Sequence, residues 1–169
     1  MSQPQLLQIP LDPQDVVYTP DWVARDMVEF FRPSGRILEP CKGEGVFLKY
    51  LPVRTEWCEI TEGRDFFAWT EPVDWVFGNP PYKQFDRFLF HAFAISQNIV
   101  YLIPADKPFN SLPRANMISA KGKILHMRYY TDGPRMNMPK IHRPMAAFHF
   151  QKDYFGPMYS TSYQDTLPQ

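Results

Sequence analysis

The chain has 169 residues, 44% apolar and 16% aromatic, enough for one domain with its own core and too apolar for a largely disordered polypeptide. Its 18 basic residues balance 18 acidic ones, so contact with a polyanion must come from a local patch and not from a general positive field. No apolar run approaches the ~20 residues that span a bilayer, and no basic-then-apolar N-terminus marks a secretory signal, so no membrane contact and a cytoplasmic location are expected.

Residues 1–16, rich in Gln and Pro, read as an extended arm. A helix is expected over Asp21–Phe31, with Val23, Met27, Phe30 and Phe31 as its apolar stripe and Pro33-Ser34-Gly35 ending it. Arg36–Cys41 reads as a buried strand, Gly43–Leu51 as a short helix, Glu56–Ile60 as a second strand and Asp74–Gly78 as a third. A helix is expected from Gln84 to Ser96, where Phe85, Phe88, Leu89, Ala92 and Phe93 recur at helical spacing. Asn98–Pro104 is a strongly apolar strand, Ser111–Ala120 a weaker helix, and Lys123–Tyr130 and Met145–Gln151 two closing strands. The body of the fold is thus placed at 17–153, and the polar stretch 154–169 reads as a flexible tail. Alternating strands and helices predict an α/β fold: a mostly parallel sheet with a closing antiparallel strand and helices on both faces. Cys41 and Cys58 lie in apolar surroundings without metal-site spacing, and read as small core residues in a reducing compartment, with no metal expected.

The turn after the first strand, Glu39-Pro40-Cys41-Lys42-Gly43-Glu44-Gly45, sits where open parallel sheets bind ligands, outside the carboxyl ends of strands. Its glycines allow close backbone approach, but the Gly-Lys-Ser/Thr ending of a phosphate loop is missing. An acid at the strand tip suits a cationic or hydroxyl-bearing ligand, as S-adenosylmethionine is with its sulfonium, amine and ribose diol. Glu59, at the end of the second strand, can accept from ribose hydroxyls. Asp65 can accept from an exocyclic adenine amine, with Phe66 against the ring. A strand-end charge and a turn aspartate before core aromatics are the plain structural alternatives for these residues.

Asn79-Pro80-Pro81-Tyr82, directly after an apolar strand, is more specific. A double proline terminates a strand, but termination requires neither an Asn before it nor an aromatic after it. An amine conjugated to a ring or carbonyl is a poor nucleophile. Acceptors that hold its N–H bonds help it pyramidalise, and they act in the transition state. The Asn79 side-chain oxygen and the Pro80 carbonyl can be those acceptors, Pro81 helps stiffen the loop, and Tyr82 offers a face to a base removed from its stack.

On these residues the chain resembles the class I S-adenosylmethionine-dependent methyltransferases, and within them the amino-methylating group with Asn/Asp-Pro-Pro-Tyr/Phe. The resemblance covers residues 17 to about 105. It implies a Rossmann-like sheet, with S-adenosylmethionine as cofactor. Tyr18, Thr19 and Pro20 would line its methionine end, and Glu39, Gly43 and Gly45 would form the first cofactor motif. Glu59 stands at the family's ribose acid, Asp65 and Phe66 at its adenine pair, and Asn79 beside the methyl group. The motif order resembles the gamma arrangement of adenine-N6 DNA methyltransferases. It implies DNA, ahead of RNA, as the nucleic acid bound. Only five residues separate Glu59 from Asp65, too few for the helix and strand usual there, so a sheet one strand smaller is expected. No stretch reads as a separate target-recognition domain.

Target contact would then fall to the 131–144 loop, whose Arg135, Lys140, His142 and Arg143 can track phosphates, to the N-terminal arm, or to a partner, a second copy included. The same loop chemistry also serves RNA adenine or a protein glutamine amide, and release-factor glutamine methyltransferases resemble this chain at Asn79–Tyr82. A non-catalytic cofactor-binding subunit is the third alternative. Cys41 follows a proline, as the nucleophile of cytosine methylation does, but lies in the cofactor motif, where a target base does not reach.

Overall fold

The computed structural model of the protein describes residues 17–130 and 144–164. In chain order its elements are α1 (Asp21–Phe31), β1 (Ile37–Glu39), β2 (Glu56–Trp57), β3 (Val73–Gly78), α2 (Phe85–Ile95), β4 (Ser96–Pro104), α3 (Leu112–Lys121), β5 (Gly122–Tyr130), β6 (Met145–Lys152) and β7 (Tyr159–Ser162). The strands form one sheet in the order β2-β1-β3-β4-β6-β5-β7. Among the described strands only β6 runs against its neighbours, β4 and β5. This is the Rossmann-like α/β sheet with a closing antiparallel strand.

The centre is β4, where Ile99 to Pro104 are all buried. An unbroken buried run needs cover on both faces, and alternate side chains point to opposite ones. Ile99, Tyr101 and Ile103 join Phe85, Leu89, Phe93 and Ile118 under α2 and α3. Val100 and Leu102 join Val23, Ala24 and Met27 of α1 on the other face. The α1 helix is also clamped by charge: buried Arg128 of β5 donates to both Asp26 oxygens at 2.6 and 2.7 Å, and Tyr130 Oη donates to Asp26 at 2.7 Å. Removing Asp26 would leave a buried guanidinium uncompensated, at a cost of about 3–5 kcal/mol.

Three expectations need correction. The helix expected over Gly43–Leu51 is an irregular turn followed by a single 3-10 turn, Phe47–Lys49. Gly43 and Gly45 take φ of 52° and 77°, a left-handed conformation that cannot begin a right-handed helix. The second strand, expected over Glu56–Ile60, is only Glu56–Trp57 and forms the edge of the sheet, and the described strands of that sheet still number seven because β7 adds to its other edge. The stretch from Tyr154, expected as a tail, includes β7, which pairs in parallel with β5. Tyr163 then packs on Trp22 of α1, ring centroids 4.9 Å apart. The 1–16 arm and the basic residues Arg135, Lys140, His142 and Arg143 lie outside the described residues. No helix among the described residues is long and apolar enough to cross a membrane.

Candidate functional site

Three chain segments meet at the carboxyl ends of β1 and β3: residues 17–19 before α1, the turn 39–46 after β1, and the Asn79–Tyr82 loop after β3. They enclose, with residues 59–67, a cleft of about 700 Å³, within the size range of sites that take a ligand of cofactor dimensions. The close approach of the first two strand ends depends on Gly78. A Cβ there would lie 3.1 Å from Pro40 Cδ and 3.5 Å from Glu39 Cγ, so a side chain would push the loop away from the turn.

Most of the residues singled out in the sequence line this cleft: Tyr18, Thr19, Glu39, Gly43, Glu59, Asp65, Phe66, Asn79, Pro80 and Pro81. Three do not. Pro20 caps α1, its carbonyl accepting from Val23 and Ala24. Gly45 closes the turn, its N–H donating to the Lys42 carbonyl at 2.7 Å. Tyr82 begins a 3-10 turn and packs against both cores, half-buried.

The polar atoms of the cleft divide into engaged and unengaged groups. Glu39 is 1% exposed, and its Oε2 is buried with no hydrogen-bond partner. Burial pushes its carboxyl up to about 8, so it is largely protonated at neutral pH. A cationic or donor-bearing ligand would relieve that penalty. Asn79 is oriented from behind: its Nδ2 donates to the Val17 carbonyl and to Thr19 Oγ1, both at 3.0 Å. A carbonyl only accepts, so the nitrogen must face Val17, and Oδ1 is the free end. That Oδ1 is buried and has no partner. The Asn79 backbone carbonyl accepts from the Cys41 thiol at 3.2 Å, and burial pushes that thiol well up. Cys41 is thus a protonated structural donor and not a nucleophile.

Glu59 and Asp65 differ. Glu59 Oε2 accepts from the Gly43 N–H at 2.9 Å, and Oε1 accepts from the Thr61 N–H and hydroxyl at 3.2 and 2.8 Å. A carboxylate offers about four acceptor positions, so roughly one is left for a hydroxyl. Asp65 Oδ1 accepts from the Phe67 N–H at 2.9 Å and caps the following turn. Phe66 is buried and stacks on Phe88, ring centroids 5.2 Å apart, so Phe67 and Ile60 supply apolar lining beside it. Ile60 is 41% exposed although apolar. Its place directly after Glu59 at a strand end was the available signal. Arg87, over the Phe67 ring at 4.4 Å, had no signal, since it sits on the polar side of the α2 stripe. The lysines around the cleft are neutralised: Lys42 pairs with Glu62 at 2.7 Å and Lys49 with Asp21 at 3.0 Å. The acceptor set therefore suits cations, hydroxyls and flat rings, with the Arg87 guanidinium as a cation on the lining.

No family model and no curated protein matches the chain. Solved structures do. A Listeria monocytogenes protein assigned to the class I S-adenosylmethionine-dependent methyltransferases superposes with a TM-score of 0.59 at 14% identity, over 91% of this chain and 68% of that one. The chain has the class I methyltransferase fold. A methyltransferase subunit of a type I restriction-modification system from Streptococcus thermophilus gives 0.58 at 12% identity, over 90% of this chain and 48% of its own. Trm5b from Pyrococcus abyssi gives 0.54 at 18%, over 81% and 50%. The chain spans about half the length of these last two.

Proposed function

We propose that the chain binds S-adenosylmethionine in the 700 Å³ cleft and methylates an exocyclic amine, adenine N6 in DNA being the substrate. The observation that carries this reading is the Asn79 carboxamide, with both donors engaged behind it and a buried, unpartnered acceptor facing the other way. A buried orphan acceptor costs about 1–3 kcal/mol, which a stable fold retains for a ligand donor.

The cofactor would be held by Glu39 at its cationic end, by the remaining acceptor position of Glu59 at the ribose, and by Ile60 and Phe67 at its ring. When bound it supplies an electrophilic methyl carbon on a sulfonium. Asn79 Oδ1 accepts one N–H of the incoming amine, and the Pro80 carbonyl accepts the other. This draws the nitrogen lone pair out of conjugation with the ring. With the cofactor held by these residues, its methyl group would pass to the amine that Asn79 and Pro80 orient, its sulfur would keep the bonding pair, and the amine would lose one proton to solvent. Preorganised acceptors of this kind contribute about 2.7–4 kcal/mol to such a step. Contact with the DNA backbone would come from the basic residues Arg135, Lys140, His142 and Arg143, and sequence recognition from a partner, including a second copy.

Methyl-labelled S-adenosylmethionine offered with DNA, RNA and protein, followed by nucleoside analysis, tests the reading. Label in N6-methyladenine from DNA supports it. Label in RNA or protein alone would replace the substrate, and no label anywhere would remove the activity.

A further inference from the structure

We infer that Thr19 is a positioning residue, the second anchor that holds the Asn79 carboxamide in the orientation selected by the Val17 carbonyl, with an acceptor presented to the reacting amine. The role assigned to Asn79 rests on the proposed function; the Thr19–Asn79 contact does not.

The two ends of a carboxamide have nearly the same shape and opposite hydrogen-bonding character. Which end faces a ligand is therefore decided by the partners at its back. Here the Val17 carbonyl, which only accepts, selects the orientation, and Thr19 Oγ1 is the second anchor that holds it, each 3.0 Å from Nδ2. Together they engage both N–H bonds, and Thr19 is itself buried at 9% exposure. Turning the amide over would set Oδ1 against the Val17 carbonyl and point N–H donors at an amine that also donates. With the Thr19 hydroxyl gone, one buried N–H loses its partner and only one anchor remains. The carboxamide can then swing away from the acceptor geometry. Residues 17–19 thus act on the chemistry through Asn79 as well as lining the cleft. Thr19→Val removes the hydroxyl at constant shape, and Thr19→Ser keeps it.

The experiment has two readouts. In the first, methyl transfer to duplex DNA should fall ~10–100-fold in kcat for Thr19→Val, since the acceptor is loosened and not removed. KM for DNA and the calorimetric Kd for S-adenosylmethionine should change no more than about threefold, and Thr19→Ser should restore kcat to within about threefold. In the second, the Asn79 side-chain NH2 signals, assigned by their loss in Asn79→Ala, are followed by NMR. Both protons should exchange slowly in the wild-type protein and in Thr19→Ser, and one should lose protection in Thr19→Val. Fast exchange of both protons in the wild-type protein would overturn the inference even if Thr19→Val failed to fold. So would unchanged kcat and unchanged signals in Thr19→Val, or a loss of cofactor affinity as large as the loss of kcat. If instead Asn79→Ala methylates at the wild-type rate, the proposed function fails, while the NMR result still reports whether Thr19 holds the amide.

Discussion

The two walls of the cleft are built on opposite principles. On the wall formed by the ends of β1 and β3, Glu39 and Asn79 each keep a buried oxygen without a partner. On the wall formed by residues 59–67, Glu59 turns both oxygens and Asp65 its Oδ1 back onto the chain, accepting from Gly43, Thr61 and Phe67. The first wall is less stable than it could be and ready for donors. The second is a frame in which Glu59 already uses about three of its acceptor positions on the chain and Asp65 uses only one. Both carry acids at strand ends, so residue type alone does not separate an acid that waits for a ligand from one that holds a turn.

Asn79→Ala should give the largest effect: a ~100-fold or greater loss of methyl transfer, with cofactor affinity kept. A wild-type rate would mean that the unpartnered oxygen has no part in the reaction. Glu39 should appear next, in the pH dependence of stability. Its carboxyl is raised from 4.5 to about 8, so the folded state holds more protons than the unfolded one between those values. The contribution is fully present below about pH 4.5 and is lost as pH rises through 8. Denaturant melts of the ligand-free protein at pH 5.5 and 7.5 should therefore differ by about 2–3 kcal/mol, and Glu39→Gln should remove that part of the difference. An equally steep dependence in Glu39→Gln would place its source elsewhere.

The second wall should respond in stability. Glu59→Ala removes three accepted hydrogen bonds, one of which tethers Gly43 of the turn after β1, and should cost about 1–2 kcal/mol in urea unfolding. Asp65→Ala should cost about 0.5–1 kcal/mol, as the loss of a single turn cap. If either variant left stability unchanged and abolished cofactor binding, the distinction between the walls would fail on that residue.

The sheet was legible where strands are buried on both faces. Asn98–Pro104 could hardly be anything else, and β4 is that segment with two residues more. The helix expected over Gly43–Leu51 misled because Val46, Phe47 and Leu48 fit a helix while the two glycines before them take positive φ. β7 was illegible for another reason: Tyr159–Ser162 has no buried residue and no alternation, and its conformation comes from pairing with His126–Tyr129 far along the chain. At the site, the sequence singled out the Asn79 loop by a residue pattern that strand termination does not require, and Asn79, Pro80 and Pro81 line the cleft. It could not tell that Glu39 lacks a partner while Glu59 has three, because those partners come from folded turns. Nor could it tell that Tyr82 packs inward against both cores.

The central claim, that the Glu39–Asn79 wall is arranged for a cationic cofactor, is tested most directly by calorimetry of S-adenosylmethionine binding at pH 6.5 in buffers of different ionisation enthalpy. A Glu39 carboxyl raised to about 8 is mostly protonated there, and pairing it with a cation should release about one proton per bound ligand. The account predicts sub-millimolar binding with that release, and its loss in Glu39→Gln. Absence of binding at millimolar ligand, or binding with no proton released, would contradict it.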